Sequence, residues 1–271
     1  MTVDVLFSGS RGNCTYVKSG KTEILIDCGK SARKIASALR EIGSGLSDIS
    51  ALFITHEHTD HTSALDALCR ILDAPVHMTE KSACACKTPS VQYYATVHPA
   101  EFNVTVGDLT VESFPLPHDS ACHVGYIITD KSGDTFGIAT DMGRVTEEAI
   151  RALSRCRRVM IEANHDVDML RCGRYPAFLK ARISSPRGHL SNEDCAHLAC
   201  VLAERGCEVI ALAHLSPENN TPEIAFAEVR RALDASGHAD CDVIVTDREE
   251  TVSVPNSSRT KKEVVFEYAE D

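Results

Sequence analysis

The length, composition and charge of the chain limit what it can be. Its 271 residues, 43% hydrophobic and 25% charged, suffice for a substantial core in one large domain or two small ones. The formal net charge is −11, from 28 Lys and Arg against 39 Asp and Glu. An acidic surface repels polyanions, which argues against a basic groove that binds nucleic acid non-specifically.

The start of the chain and its cysteines indicate a cytoplasmic protein. MTVDVLFSGSRGN carries Asp4 and lacks the apolar stretch of a signal peptide, and no run of about 18 apolar residues predicts a membrane span. The 12 cysteines contain no C-x-x-C pair, so they are interpreted as reduced thiols that act as small buried hydrophobes. A redox or metal role stays open for Cys84 and Cys86.

The first third of the chain alternates short apolar runs with turn residues. Strands are predicted at 3–7, 14–17 and 23–26, separated by Gly-containing connectors. Ser31 is positioned to cap a helix with apolar residues at helical spacing. A strand at 51–54 leads into the segment THEHTDH, and an amphipathic helix with Leu65, Leu68 and Leu72 follows.

The remainder of the chain is rich in strands at first and then alternates helices with strands. Residues 104–141 read as several strands, and Thr146 begins a helix to residue 153. Ser191 with Asp194 is similar to a capping box, and Thr221 with Pro222 begins a later helix. Further strands are predicted at 159–161, 208–212 and 243–245. The pattern predicts mixed α/β structure in a single domain spanning 1–271, with 255–271 as a polar C-terminal tail.

His56-Glu57-His58-Thr59-Asp60-His61 is the most informative segment. Three imidazoles and the carboxylates of Glu57 and Asp60 fall within six residues, directly after a buried strand and before a helix. A loop there can direct His56 and His58 to one side and Asp60 and His61 to the other. Such a nitrogen and oxygen donor set suits zinc, manganese or iron, and it lacks the thiolates of a structural zinc site.

This segment fits the H-x-H-x-D-H motif of the metallo-β-lactamase superfamily, which the chain resembles over most of its length. Asp27 in ILIDCG matches the aspartate that supports the metal loop, and His118 in FPLPHDS matches the histidine that completes the first metal site. Asp141 in GIATDMG matches the aspartate that bridges both ions, and His214 in LAHLSPENN matches the histidine that completes the second site. The resemblance implies a four-layer αββα sandwich of two mixed β-sheets, with the site at one edge.

The resemblance also implies a metal-dependent hydrolase. Two divalent ions (Zn²⁺ or Mn²⁺, with Fe possible) would share a bridging hydroxide, and Asp60 would orient it while binding the second ion. Their charge would more than offset that of Asp60 and Asp141, so an anionic substrate is compatible with the acidic chain. The fold alone does not select the substrate.

Three further segments resemble a bacterial subgroup named after YycJ, also called WalJ, whose members are exonuclease-like enzymes acting on DNA. They are SGSRGN with Ser10 and Asn13, IEANHD with His165, and HLSPENN with Asn220. The resemblance favours a dinuclear-metal phosphodiesterase or nuclease with a nucleic-acid or other phosphodiester substrate. It makes Ser10, Asn13 and Asn220 candidates for supporting the site or contacting substrate.

Gly188-His189-Leu190-Ser191 resembles the G-H-A-S segment of the nuclease branch, where the histidine faces the scissile phosphate. His189 is therefore a candidate to contact phosphate or protonate the leaving oxygen, beside Ser191 at a predicted helix N-terminus. His165 is a second catalytic candidate.

Other functions stay open on sequence grounds. A small-molecule phosphodiesterase or a thioester hydrolase of the same fold would keep the metal residues. A metal-binding partner protein of a signalling system is the alternative without catalysis. The intact donor set, with Asp60 present, favours an enzyme.

Overall fold

Two seven-stranded mixed sheets form the centre of the fold in a computed structural model that describes residues 1–256. Residues 257–271, most of the predicted tail, lie outside the described residues. Each sheet has three antiparallel strand pairs on one side and three parallel pairs on the other. The predicted architecture of two mixed sheets is confirmed.

The first sheet has the strand order β14-β1-β2-β3-β4-β5-β6. Its strands are β1 (Thr2–Phe7), β2 (Cys14–Ser19), β3 (Thr22–Ile26), β4 (Ile49–Phe53), β5 (Val76–Thr79), β6 (Ala95–His98) and β14 (Val252–Val254). The second sheet has the order β13-β12-β11-β10-β9-β8-β7. Its strands are β7 (Asn103–Val106), β8 (Leu109–Pro115), β9 (Val124–Asp130), β10 (Thr135–Ala139), β11 (Arg158–Glu162), β12 (Val209–Ala213) and β13 (Asp242–Val245).

Helices cover the outer faces of both sheets. They are α1 (Ala32–Glu41), α2 (Thr59–Thr62), α3 (Leu65–Ile71), α4 (Glu80–Ala85), α5 (Val91–Tyr94), α6 (Glu147–Leu153), α7 (Val167–Cys172), α8 (Ala177–Ile183), α9 (Asn192–Glu204) and α10 (Pro222–Ala235), with a 3₁₀ turn at Leu46–Asp48. Within residues 1–256, no helix has the length and apolar character needed to cross a membrane.

Three apolar cores separate these layers. Strand β3 illustrates why, because its side chains alternate in direction and are buried on both faces. Ile24 and Ile26 join the core between the sheets, whereas Leu25 joins the core beneath α1 and α3. A third core packs α6, α9 and α10 against the second sheet. The four layers αββα follow from these cores.

Helix starts predicted from local signals are found where expected. Ser31, Thr146, Ser191 and Thr221 are the N-caps of α1, α6, α9 and α10, and each side chain accepts a hydrogen bond from the backbone N–H three residues on. The elements that the sequence patterns did not predict lie mainly in two stretches, 76–98 and 167–183. These contain β5, α4, α5 and β6, then α7 and α8, all seven residues or shorter, too short to establish a periodicity.

The 12 cysteines all lie within the described residues and none is in a disulfide. Seven are buried, including Cys14, Cys28 and Cys195. Burial raises the pKa of the Cys69 thiol to about 11, with a contribution from Cys86. The Cys69 thiol therefore stays protonated near neutral pH, which agrees with its interpretation as a small hydrophobic residue.

Candidate metal centre

The ends of several strands place the predicted metal ligands at one edge of the two sheets. Asp27 directly follows β3, the HEHTDH segment begins three residues after β4, and His118 lies three residues after β8. In the second sheet, Asp141 follows β10 and His214 directly follows β12. The structure therefore brings together all seven residues that the sequence analysis named as ligands.

The first group of donors consists of three imidazoles. Nε2 of His56 lies 3.0 Å from Nδ1 of His58, which lies 3.3 Å from Nε2 of His118. One ring nitrogen from each residue falls within 4.8 Å of the others. Three converging imidazole nitrogens are a common donor set for a divalent transition metal.

The second group combines two carboxylates and two imidazoles: Asp60, His61, Asp141 and His214. Nε2 of His61 lies 3.1 Å from Oδ2 of Asp141 and 3.5 Å from Oδ2 of Asp60. Nε2 of His214 also lies 3.5 Å from Oδ2 of Asp60. Asp141 connects the two groups, because its Oδ1 lies 3.9 Å from Nε2 of His118.

Buried donor atoms without partners indicate what the second group is built to hold. Oδ2 of Asp141 and Nε2 of His214 are buried, and neither has a hydrogen-bond partner among residues 1–256. An unpaired buried polar atom is costly unless something binds it. A divalent cation satisfies such lone pairs, so the residues present fit a metal centre.

The electrostatics of the second group also favour a cation. Burial acts to raise the pKa of Asp141, but the charges of His214 and His61 outweigh it and hold that pKa well below its ordinary value. Burial acts to lower the pKa of His61, but Asp27, Asp141 and Asp60 raise it well above the usual range. In contrast, burial and the neighbouring His61 and His123 lower the pKa of His56. The carboxylates thus attract positive charge to the second group.

Asp27 and Thr55 hold the metal loop from behind. Oδ2 of Asp27 accepts a hydrogen bond from Nδ1 of His61 at 2.8 Å, and the backbone N–H of Thr55 donates to Oδ1 at 2.8 Å. Because an ionised carboxylate only accepts, His61 carries its hydrogen on Nδ1 and directs Nε2 toward Asp60 and Asp141. This position matches the supporting role expected for Asp27.

Asn13 ties the N-terminal loop to the same segment. Its Nδ2 donates to the backbone oxygen of Asp60 at 3.3 Å and lies 3.1 Å from Nε2 of His61. Ser10 is exposed at the tip of this loop. The contact to the ligand-bearing strand comes instead from Ser8, whose Oγ accepts a hydrogen bond from the His214 backbone N–H at 2.8 Å.

Glu162 is a site residue that the sequence analysis missed. It is fully buried at the end of β11, and its Oε1 lies 2.8 Å from Nδ1 of His189 and 2.8 Å from Nδ1 of His214. Burial acts to raise its pKa, but His189 and His214 lower it to about 2. A carboxylate closing an apolar strand, as in RVMIE, is the signal that would have found it.

His189 and His165 occupy different positions. His189 reaches the metal centre, with Nδ1 2.8 Å from Glu162 and 3.6 Å from Oδ1 of Asp141. His165 is buried and belongs to none of the donor groups among the described residues. Burial lowers its pKa. His165 and His189 instead line a common cavity.

Ser191 and Asn220 serve the backbone near the site. The Ser191 hydroxyl accepts from the N–H of Asp194 at 3.1 Å and also lies 2.9 Å from Oδ2 of Asp194. Asn220 exchanges amide hydrogen bonds with Asn192 and donates to the backbone oxygen of Ala163 at 2.9 Å. These contacts fix the start of α9 against Ala163, directly after β11.

Backbone strain is concentrated at the site. Among the described residues, the non-glycine residues with positive φ are Asp27 (62°), Asp141 (56°) and His214 (57°). Each is a predicted site residue directly after or close to the end of a strand. Such conformations cost of order 1–3 kcal/mol and persist where the surrounding structure enforces them, typically at functional sites.

Comparison with known proteins agrees with this geometry. The family model of the metallo-β-lactamase superfamily matches residues 8–214. The chain is 35% identical over 242 residues to exodeoxyribonuclease YycJ of Bacillus anthracis, covering 86% of this chain and 89% of that protein. It is 36% identical over 228 residues to exodeoxyribonuclease WalJ of Streptococcus pneumoniae, covering 82% and 84%.

Solved structures share the fold at low sequence identity. The metallo-β-lactamase fold protein YhfI of Bacillus subtilis has a TM-score of 0.69 and 16% identity, and the alignment covers 93% of this chain and 100% of YhfI. Zn²⁺-bound PqqB of Methylobacterium extorquens has a TM-score of 0.69 and 16% identity, covering 93% and 99%. This chain therefore belongs to the metallo-β-lactamase superfamily, as the family match shows. Within the superfamily it groups with the YycJ/WalJ proteins, to which it is similar over most of its length.

Proposed function

We propose that this protein is a dinuclear-metal phosphodiesterase that removes nucleotides from the ends of DNA. The observation that carries the proposal is the junction of the two donor groups at Asp141, beside His189. The relatives YycJ and WalJ, both named exodeoxyribonucleases, support DNA as the substrate. The unpaired thiols support a cytoplasmic location.

Two ions fit the donor set better than one. His56, His58 and His118 would hold the first ion, and Asp60, His61 and His214 the second, with Asp141 shared between them. The all-nitrogen and oxygen set suits Zn²⁺ or Mn²⁺, with iron also compatible. When bound, such ions supply a water of lowered pKa and a positive field for an anionic substrate oxygen.

His189 is placed to act on the leaving group. Its Nδ1 donates to Oε1 of Glu162, which fixes the ring and keeps the opposite nitrogen, Nε2, free to reach substrate. Burial acts to lower its pKa, but Glu162 raises it, so a protonated ring is favoured. A protonated imidazole beside the metal centre can neutralise a phosphate oxygen or give a proton to the departing one. Asp60 is the residue proposed to orient the attacking water.

A cleft beside the first donor group accepts the substrate strand. It has a volume of about 630 Å³ and is lined by His58, Asp60, Lys87 and Arg182 among others. Nε of Arg182 lies 2.5 Å from Oδ2 of Asp119, which holds the guanidinium at the rim. Arg187, by contrast, donates to the backbone oxygen of His118 at 2.8 Å and is committed to the fold. Lys87 therefore supplies positive charge for a phosphate next to the one cleaved, and Arg182, already paired with Asp119, supplies less.

The proposal is tested by a substrate panel on protein reloaded with Mn²⁺ or Zn²⁺. The panel contains linear duplex DNA, covalently closed circular DNA, linear RNA, bis(p-nitrophenyl) phosphate, a thioester and a β-lactam. We expect release of nucleotides from linear DNA, no change in circular DNA and hydrolysis of the nitrophenyl ester. Asp141→Asn, which removes a charge from the shared ligand, serves as the inactive control.

The alternatives give different results on the same panel. Turnover of the thioester alone would refute phosphodiester chemistry and support a thioester hydrolase. Hydrolysis of the small ester without any action on DNA would support a small-molecule phosphodiesterase. Binding of metal without turnover of any substrate would favour a metal-binding partner protein.

A further inference from the structure

A cavity of about 450 Å³ lies beside His189, and its lining shares no residue with that of the cleft that contains Lys87 and Arg182. It is open to solvent and is bordered by α7, α8 and the start of α9. His189 belongs both to the lining of this cavity and to the donor group with Asp141, Glu162 and His214. Only the His189 side chain therefore separates a ligand in the cavity from the donor groups of the metal centre.

The lining of the cavity combines aliphatic surface, two imidazole rings and several polar or charged side chains. Val167, Leu170 and Ala181 contribute aliphatic surface, and His165 and His189 contribute imidazole rings. His165 is only 3% exposed, and its Nδ1 has no hydrogen-bond partner among residues 1–256. Aliphatic walls, flat rings and several polar groups together suit a planar ligand that also carries hydrogen-bonding groups.

The charged side chains around the cavity are of both signs. Arg171 pairs with Asp168 at 2.9 Å, and Nζ of Lys180 donates to the backbone oxygen of Arg171 at 2.8 Å. Glu193 and Asp194 place two carboxylates at the start of α9. The backbone N–H of Asp194 already donates a hydrogen bond to the Ser191 hydroxyl, which caps the helix. Cations and carboxylates of the lining therefore offset one another, and the cavity offers no strongly positive surface for a phosphate.

The geometry points to a pocket for one nucleoside, holding the base and sugar of the terminal nucleotide whose phosphodiester is cleaved. This inference rests on the proposed function and specifies which part of the substrate is recognised. A pocket of this size accepts a single drug-sized group rather than a base pair. The terminal nucleotide must therefore leave its partner strand before cleavage, as in enzymes that flip a nucleotide out of the duplex.

Three esters with the same leaving group test the pocket: thymidine 5′-(p-nitrophenyl phosphate), thymidine 3′-(p-nitrophenyl phosphate) and methyl p-nitrophenyl phosphate. We expect kcat/KM for one thymidine ester to exceed that for the methyl ester by about tenfold or more, from the burial and stacking of one base. The preferred isomer identifies which end of the strand enters the pocket. Equal kcat/KM for all three esters would overturn the inference.

A substitution that fills the pocket supplies the matched variant. Ala181→Phe places a ring at the cavity wall, whereas Ala177→Phe makes the same change one turn earlier on α8, at an exposed position outside the lining. We expect Ala181→Phe to remove the advantage of the thymidine ester and leave the methyl ester unchanged. Val167→Phe, from α7, provides a second filling variant should Ala181→Phe unfold.

A binding measurement separates this inference from the proposed function. Calorimetric titration with thymidine 5′-monophosphate, thymidine 3′-monophosphate and inorganic phosphate should give tighter binding of one nucleotide, and Ala181→Phe should abolish the difference. Equal affinity for all three would overturn the pocket even if DNA is cleaved. Failure to hydrolyse any phosphodiester, with nucleotide binding intact, would refute the proposed function and leave the pocket as a binding site.

Discussion

Oε1 of Glu162 accepts a hydrogen bond from Nδ1 of His214 at 2.8 Å. The same oxygen lies 2.8 Å from Nδ1 of His189, so one buried carboxylate orients both a proposed metal ligand and the proposed acid. Its other oxygen accepts from the backbone N–H of Met142 at 2.7 Å and of Leu190 at 3.2 Å. Four donors therefore converge on a side chain that can only accept while it is ionised.

We expect Glu162→Gln to weaken metal binding by about 10–100-fold, the usual effect of losing a partner that orients a ligand. A glutamine NH₂ group donates and does not accept. In either orientation of the amide it would face donors, either the two imidazoles or the two backbone N–H groups that Glu162 accepts from. Metal content after dialysis against a graded chelator measures the change. Glu148→Gln, an exposed change on α6, is the control and should keep the metal. Unchanged metal affinity in Glu162→Gln would contradict the positioning role.

Gly29 is predicted to be indispensable for the metal loop. A Cβ at this position would lie 1.6 Å from the backbone oxygen of Asp60 and 2.5 Å from the backbone nitrogen of Asn13. Since both contacts are to backbone, the loop itself must shift. We expect Gly29→Ala to lower the melting temperature and the metal content together. Gly45→Ala, whose Cβ meets nothing closer than 3.4 Å, should change neither.

The stability of the fold is expected to fall in mild acid because of His77. Its Nδ1 lies 3.0 Å from Nε2 of His98, and its ring stacks on Phe53 with centroids 4.7 Å apart. Burial and the neighbouring His98 lower the pKa of His77 from 6.5 to about 4. Because the unfolded chain then binds more protons, the contribution is intact above pH 6.5 and is lost as pH falls toward 4.

Urea unfolding of the chelator-treated protein at several pH values measures this effect without a contribution from bound metal. His77→Phe keeps an aromatic ring beside Phe53 and has no proton to gain. We expect a smaller loss of unfolding free energy between pH 6.5 and 4 in this variant than in the wild type. Identical pH dependence in the two proteins would show that His77 is not the responsible group.

The extent to which the sequence predicts this fold depends on how local the signals are. Ser31, Thr146, Ser191 and Thr221 cap their helices through contacts three residues away, so a short window contains the complete signal. The helices α7 and α8 have six and seven residues, and their positions follow from packing around the site rather than from periodicity. Local patterns could not predict them for that reason.

The same distinction applies to the site. HEHTDH holds four predicted ligands in six residues, and a resemblance to known motifs identifies the others. Glu162 meets His189 and His214, which lie 27 and 52 positions away in sequence, and the parallel pairing of β11 with β12 places Glu162 next to His214. The cavity beside His165 needs three separate helices. The sequence contains these residues, but local patterns do not predict that they line one cavity.

Metal loading is expected to stabilise the fold in a manner that requires Asp141. At a free metal concentration of about 100 times Kd, binding to the native state alone adds about 2.7 kcal/mol to the free energy of unfolding. Asp141→Asn should lose most of this gain, because Asp141 contacts donors of both groups. Melting curves with Mn²⁺, Zn²⁺ or chelator measure it. An equal gain in Asp141→Asn and wild type would refute a shared ligand at this position.

His189→Ala separates proton donation from metal binding. The ring touches Glu162 and lies 3.6 Å from Asp141, and it is not needed to complete either of the two donor groups assigned to the ions. We expect the variant to keep its metal and to lose about 100-fold or more of its rate on DNA, the scale of general acid catalysis. The loss should be much smaller on bis(p-nitrophenyl) phosphate, because p-nitrophenolate departs without needing a proton. His197→Ala, at an exposed position in α9, is the control. Equal losses on both substrates would instead assign His189 to phosphate binding, and full activity on DNA would remove it from the mechanism.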